Sequence, residues 1–301
     1  MLNNGLKRVI CFGAGYVCRL YLDYIGPDTE VLAIADNDPL KIGTSYHGHR
    51  VIAPDSIMKL NFDSIVITLD DRLDEVNEKT GLKRIESVYN QLLALGIEQA
   101  RIELQYVEYH PNDPRIIFLR HFAQIINDNQ TEGAVAECGV FKGSFSAYMN
   151  EYFPSRKMYL FDTFEGFKKD DMDAEDDSVT IEWLKSQDIG ILETGSVFTT
   201  LLRCQHRENV VIKQGQVPQS LKGCEDEQFV FVNLDMDLYT PQLAALRFFG
   251  PRMVSGGLIL LHDYYWKWTP GVKRAVDDYA KERNFTRVPI GDNSSIALVL
   301  Q

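Results

Sequence analysis

The sequence predicts an α/β fold made of two Rossmann-like units in succession, the smaller one first. Three observations predict it. Short apolar, β-rich runs alternate with segments of helical spacing, the pattern of parallel strands joined by helical crossovers. Two of these runs end in glycine turns, Gly13-Ala14-Gly15 and Gly139 to Gly143. In each case an acidic residue closes the following strand, Asp36 and then Asp162.

The first strand is KRVICF, and a helix is expected from Tyr16 to Ile25. VLAIAD is the second strand and ends at Asp36. A turn-rich stretch with Asn37, Asp38, Pro39 and Gly43 leads towards a third strand, SIVIT. Leu82, Ile85, Val88, Tyr89, Leu92 and Leu93 recur at helical spacing and predict an amphipathic helix. His110-Pro111-Asn112-Asp113-Pro114 has the composition of an interdomain joint, so domains are expected at 1–110 and 111–301. A helix follows from Arg115 to about Asn127. Strand–helix alternation then restarts, with AVAEC, KMYLFD, NVVIK, FVFVNLD, GGLILLHD and finally SSIALVL as strands. The acidic stretch from Lys168 to Asp177 reads as an exposed loop or lid.

Bulk properties narrow the function. The 301 residues suffice for two ordinary domains, and 45% hydrophobic with 25% charged residues is a globular composition. A net charge of −12 disfavours nucleic acid and anionic membrane surfaces as partners. The five cysteines, Cys11, Cys18, Cys138, Cys204 and Cys224, are odd in number and form no C-x-x-C pair. A reduced, cytoplasmic protein is therefore expected. No signal-peptide run occupies residues 1–20, and no stretch is apolar enough to span a bilayer.

The chemistry concentrates at strand ends. Glu137-Cys138-Gly139-Val140-Phe141-Lys142-Gly143-Ser144 places Glu-x-Gly-x-x-x-Gly at the end of a strand. Such a turn lets a ligand approach the backbone, with the next helix N-terminus facing it. Asp162, about 20 residues further on, is placed to accept hydrogen bonds from a ribose. The fourth strand ends in Asn233-Leu234-Asp235-Met236-Asp237, and the fifth in Leu261-His262-Asp263. Three carboxylates and an imidazole on one sheet edge could bind a divalent cation or supply a general base. The alternative is that Asp235 and Asp263 cap the helices after them.

In order and spacing, ECGVFKGS, FDTFEGF, the stretch from Gly215 to Ser220-Leu221, LDMDLY, GGLILLHDY and GVKRAVDDY resemble the TylF/MycF (macrocin O-methyltransferase) family. The resemblance covers about half the chain, from Glu137 to Tyr279. It implies a class I methyltransferase domain, S-adenosylmethionine as cofactor and magnesium-dependent O-methylation of a sugar. Glu137, Gly139, Gly143, Ser144, Asp162, Thr163 and Gly215 would hold the cofactor. Asp235 would be a metal ligand and Asp237 the general base. An Asp-Asp pair completes the family's metal site, where this chain has His262-Asp263. Imidazole favours softer ions than magnesium, so the cation could be magnesium or another divalent ion.

Gly13, Gly15 and Asp36 form a dinucleotide-type fingerprint with Cys18 in place of its third glycine. With Asp38, Lys41, Gly43 and Gly48, the segment resembles small Rossmann-like domains of bacterial polysaccharide-biosynthesis enzymes, some of which hold nucleotide-sugars. A nucleotide-sugar, a dinucleotide or mere docking stand as readings in that order. The rivals to a methyltransferase are an NAD(P)- or nucleotide-sugar-binding oxidoreductase and a non-catalytic nucleotide sensor. No Tyr-x-x-x-Lys pair supports the former, and the full set of acidic residues argues against the latter. A small-molecule or saccharide substrate is expected, and a homo-oligomeric state stays open.

Overall fold

The computed structural model describes residues 6–69, 79–105, 111–167, 176–186 and 196–300. His110 of the expected joint and residues 168–175 of the acidic stretch lie outside them. The chain divides into two compact units, 1–108 and 109–301.

The first unit runs β1 (Lys7–Phe12), α1 (Tyr16–Tyr24), β2 (Thr29–Ala35), β3 (Ser45–Tyr46), β4 (His49–Ile52), β5 (Ser64–Ile67), α2 (Lys79–Ala94) and β6 (Ile102–Leu104). Its sheet has the order β3-β4-β2-β1-β5-β6, parallel except for the β3–β4 hairpin. Cys11 on β1, Ala14 and Cys18 by the glycine turn, Ile34 on β2 and Val51 on β4 pack into one core cluster. Strand order reverses between β1 and β5, and the Gly13–Gly15 turn lies at that point.

The second unit opens with α3 (Pro114–Asp128), followed by β7 (Ala134–Cys138), α4 (Ser144–Tyr152), β8 (Met158–Asp162), α5 (Ser178–Ser186), α6 (Val197–Arg203) and β9 (Val210–Gln214). It continues with β10 (Phe229–Leu234), α7 (Tyr239–Phe249), β11 (Met253–Leu261), α8 (Pro270–Tyr279), β12 (Phe285–Pro289) and β13 (Ile296–Leu300). Asp113 caps α3 by accepting from the Arg115 amide at 2.9 Å, and Pro114 fills the first helical position, where no amide hydrogen is needed. The sheet order is β12-β13-β11-β10-β7-β8-β9. β13 runs antiparallel to both β11 and β12, and the remaining pairs are parallel.

Both faces of this sheet are covered, which is why its strands read as continuous apolar runs. Ala134, Ala136 and Cys138 of β7 pack with Leu246 and Phe249 of α7 and Val276 of α8. Val135, between them, packs on the other face with Leu119 of α3 and Met149 of α4. Burying a side chain of Leu or Phe size contributes about 1.5–3 kcal/mol, so these two layers hold the sheet flanked by helices. Taking β7 as first, the strand order is 3-2-1-4-5-7-6 with the seventh antiparallel, the class I methyltransferase arrangement.

Four strands go unread in the sequence. β3, β6 and β4 span two, three and four residues, too short to show a period. β12 is mostly exposed, contains Arg287 and Pro289, and forms the sheet edge. Among the described residues no helix is long and apolar enough to cross a membrane.

Candidate active site

Strand order in the second sheet reverses between β7 and β10, and the expected site residues fall on that edge. Open α/β sheets bind ligands at such a reversal, beyond the strand carboxyl ends. Gly139 lies directly after β7 with φ +85°, and a Cβ there would come within 1.8 Å of the Asp235 carbonyl oxygen. The turn and the Asp235 segment are therefore in backbone contact. Glycine is demanded at this position by strand-end packing before any cofactor is considered. Gly143 (φ +79°) has the same need, because a Cβ would meet Thr200 of α6 at 2.8 Å. Ser144, buried, opens α4.

Asp162 closes the turn from the next strand. Its Oδ2 accepts from the amides of Val140 at 2.6 Å and Phe141 at 2.9 Å, and its Oδ1 from that of Phe164 at 2.6 Å. It remains partly exposed. Thr163 is tied into its own turn, donating to the Gly166 carbonyl at 2.7 Å. The Gly215 amide donates to the Asp162 carbonyl at 2.9 Å and so braces the end of β8.

Glu137 stands behind the turn. It is 1% exposed, and both its oxygens are engaged, one by Ser146 and the other by Asn233 Nδ2 at 3.0 Å. Burial pushes its carboxyl up to about 8, against the opposing pull of the Ser146 hydrogen bond and the Arg115 charge. Grouped by sequence with the cofactor-holding residues, this side chain is engaged by Ser146 of α4 and Asn233 of β10.

Arg115 is a site residue that the sequence reading missed. Its guanidinium is 1% exposed and donates to Asn233 Oδ1 at 2.8 Å and Asp235 Oδ2 at 2.9 Å. It also lies over the Phe145 ring at 4.3 Å. A signal was present: Arg115 shares the apolar stripe of α3 with Leu119, Ala123 and Ile126. A charge on such a stripe needs a buried partner.

Asp235, His262 and Asp263 each offer one ligand atom within 4.8 Å of the others. Donors on one ion at bonds of about 2.1 Å stand at most roughly 4.2 Å apart, so the three could share an ion only after small side-chain adjustments. Arg115 occupies only Oδ2 of Asp235. His262 Nε2 is 3.3 Å from Asp263 Oδ1. Asp237 lies beside them: burial raises its carboxyl well above the ordinary range, and the charges of Asp263 and Asp235 raise it further. A cation among them would reverse the sign of that charge contribution.

The helix-capping alternative fails. α7 has Leu238 as its cap residue and α8 has Thr269, neither making a side-chain cap hydrogen bond. Asp237 and Asp263 instead hold left-handed backbone, φ +62° and +57°, as do Phe141 (+51°) and Phe164 (+53°). Four non-glycine residues in this sparsely populated region, one at each of four strand ends, mark this edge as a functional one.

The first unit's candidates are arranged differently. Asp36 is buried, with Oδ2 accepting from the Ala14 amide at 2.7 Å and Oδ1 from the Asp38 amide at 2.8 Å. Lys41 Nζ reaches the same carboxylate at 3.1 Å and the Ala14 carbonyl at 3.0 Å. Gly13 holds φ +110°, a backbone conformation that side chains rarely adopt. Gly15 faces open space.

The second unit thus has the fold and strand-end geometry of a class I methyltransferase. The family model for macrocin O-methyltransferase (TylF) matches residues 112–295, well over half the chain, and the chain belongs to that family. It is an S-adenosylmethionine-dependent O-methyltransferase. A second family model, described as C2185-like, N-terminal, matches residues 5–103. Among solved structures, the O-methyltransferase NovP is similar at 18% identity with a TM-score of 0.53, over 62% of this chain and 80% of that one. The calicheamicin methyltransferase CalS11 matches at 18% identity over 76% of this chain and 94% of that one, with a TM-score of 0.42, too low to bear on the fold. No curated protein matches the chain.

Proposed function

We propose that the enzyme methylates a hydroxyl of a sugar or glycosylated metabolite, with Asp237 as general base and a divalent cation held by Asp235, His262 and Asp263. The observation that carries this reading is the convergence of those three ligands beside Asp237, on the edge where Gly139 touches the Asp235 backbone. Glu137, Gly139, Gly143, Ser144, Asp162, Thr163 and Gly215 form the cofactor side, with Glu137 acting from behind the turn. S-adenosylmethionine supplies an electrophilic methyl group on a sulfonium, and a bound cation would acidify an adjacent hydroxyl. Asp237 would take the hydroxyl proton as the oxygen's electron pair bonds to the methyl carbon and the carbon–sulfur pair returns to sulfur, with S-adenosylhomocysteine as the leaving group. The glycine turn and Asp162 would hold the cofactor, and alignment of two bound reactants would supply much of the acceleration.

Membership of the macrocin O-methyltransferase family favours a glycosylated small molecule as acceptor. We assign the N-terminal domain, 1–110, a binding role towards a nucleotide-sugar and no redox step, in a cytoplasmic polysaccharide-biosynthesis setting. A panel of nucleotide-sugars and glycosides with methyl-labelled S-adenosylmethionine tests the reading. Label should pass to at least one hydroxyl. Absence of S-adenosylhomocysteine binding at millimolar concentration in calorimetry would remove its basis.

A further inference from the structure

His262 stands where the resemblance to the family calls for aspartate, and the loop before β13 is built around it. Its Nδ1 is 3.0 Å from Ser295 Oγ. Ser295 is 1% exposed. Asp292 Oδ1 receives the Ser295 and Ser294 amides at 2.7 Å and 3.0 Å, fixing both serines in place. With Nδ1 engaged by Ser295, Nε2 is the ring nitrogen on the side of Asp263, whose Oδ1 accepts from Ser294 Oγ at 2.9 Å. Hydrogen bonding of the distal ring nitrogen is how proteins fix the tautomer of a ligating histidine.

We propose that Asp292 and Ser295 hold His262 as an Nε2 ligand, and that the centre selects a first-row transition ion over magnesium. The inference rests on the metal-assisted reading above. Its chemistry follows from the donor set: magnesium demands hard oxygen ligands, whereas imidazole suits iron, nickel, copper and zinc, and manganese, the weakest binder of the first-row series, is the most stringent probe of that preference. Asp292 and Ser295 act as positioning residues and touch no reacting atom.

The test uses the full chain, stripped with chelator and dialysed against manganese and magnesium in competition, with bound metal measured by mass spectrometry. Manganese should be retained over a large excess of magnesium. Pulsed electron paramagnetic resonance of the manganese form should show a directly coupled nitrogen, lost in His262→Asp together with at least roughly tenfold of the manganese preference. Ser295→Ala should weaken manganese binding by about 10–100-fold, the scale for losing such a support, while S-adenosylhomocysteine affinity stays unchanged. Magnesium bound as tightly as manganese, or a manganese centre without coupled nitrogen, would overturn the proposal and leave the metal-assisted reading standing. No retention of either ion would overturn both.

Discussion

Two glycine turns, each clasped by an acid from the next strand, occupy corresponding places in the two units. In both, the acid accepts from a turn amide 22 residues earlier, Ala14 for Asp36 and Val140 for Asp162. In both sheets the turn follows the strand at which the order reverses. The units part company in two ways. Asp36 is neutralised by Lys41 of its own chain, whereas the hydrogen bonds found for Asp162 come from backbone amides alone. And β5, next to β1, ends in Thr68, whose hydroxyl donates to the Phe12 and Gly13 carbonyls, while β10 and β11 end in Asp235, Asp237, His262 and Asp263. The shared turn is thus an architectural joint. Chemistry enters through the fourth and fifth strand ends, which one unit equips and the other does not.

The comparison breaks most visibly at the glycines. Gly139→Ala forces a Cβ onto the Asp235 carbonyl and into left-handed backbone. It should destabilise the second unit by more than about 2 kcal/mol and abolish S-adenosylhomocysteine binding in calorimetry. Gly15→Ala meets open space with extended backbone at φ −139°. It should cost less than about 1 kcal/mol, the scale of a weakened helix cap, and leave methyl transfer intact. Equal losses from the two substitutions would mean that the turns do the same work.

A smaller contrast separates the fourth strands. Asp237→Asn should lower turnover by roughly 10²-fold or more while keeping cofactor affinity, the usual scale for a general base. Thr68→Val, at the matching strand end of the first unit, should leave turnover within about twofold, as substitutions away from a site do. Steady-state rates with a labelled acceptor decide it. Unaltered turnover in Asp237→Asn would return the acidic edge to a structural role.

What the sequence made legible follows from period and position. The strands bearing motifs are readable because both their faces are buried and their runs are apolar throughout. The positions of Asp235, Asp237, His262 and Asp263 at one edge follow from strand ends alone. The two-residue β3 and the exposed β12 carry no such pattern. Arg115, Asn233, Ser295 and Asp292 escape a sequence reading for a different reason. Their contacts join residues 33 to 120 positions apart or lie within a loop, and only the folded register brings them together. Glu137 falls at the strand end as expected, yet alternation along β7 turns its side chain into the core.

The subtlest contrast lies two residues before each first glycine, at Cys11 and Glu137. Cys11 is held well above its ordinary range by hydrogen bonding with Cys18 and by burial, so it stays neutral across the working range of pH. Glu137 titrates at about 8 in the folded protein, raised from 4.5 by burial. Between those values the folded state binds more protons than the unfolded one, so stability falls as pH rises. Its contribution is complete below 4.5, drains through the window and levels off above about 8. The slope from this one group is at most about 1.4 kcal/mol per pH unit. All three tryptophans, Trp183, Trp266 and Trp268, belong to the second unit, so their fluorescence reports its unfolding. Denaturant titrations followed by that signal should show wild-type stability declining from pH 5 to 8. Glu137→Gln keeps an acceptor and a donor for Ser146 and Asn233 but has no proton to lose, so its decline should be shallower. Parallel slopes would show that Glu137 ionises freely and that the network with Asn233 and Arg115 carries a carboxylate at neutral pH.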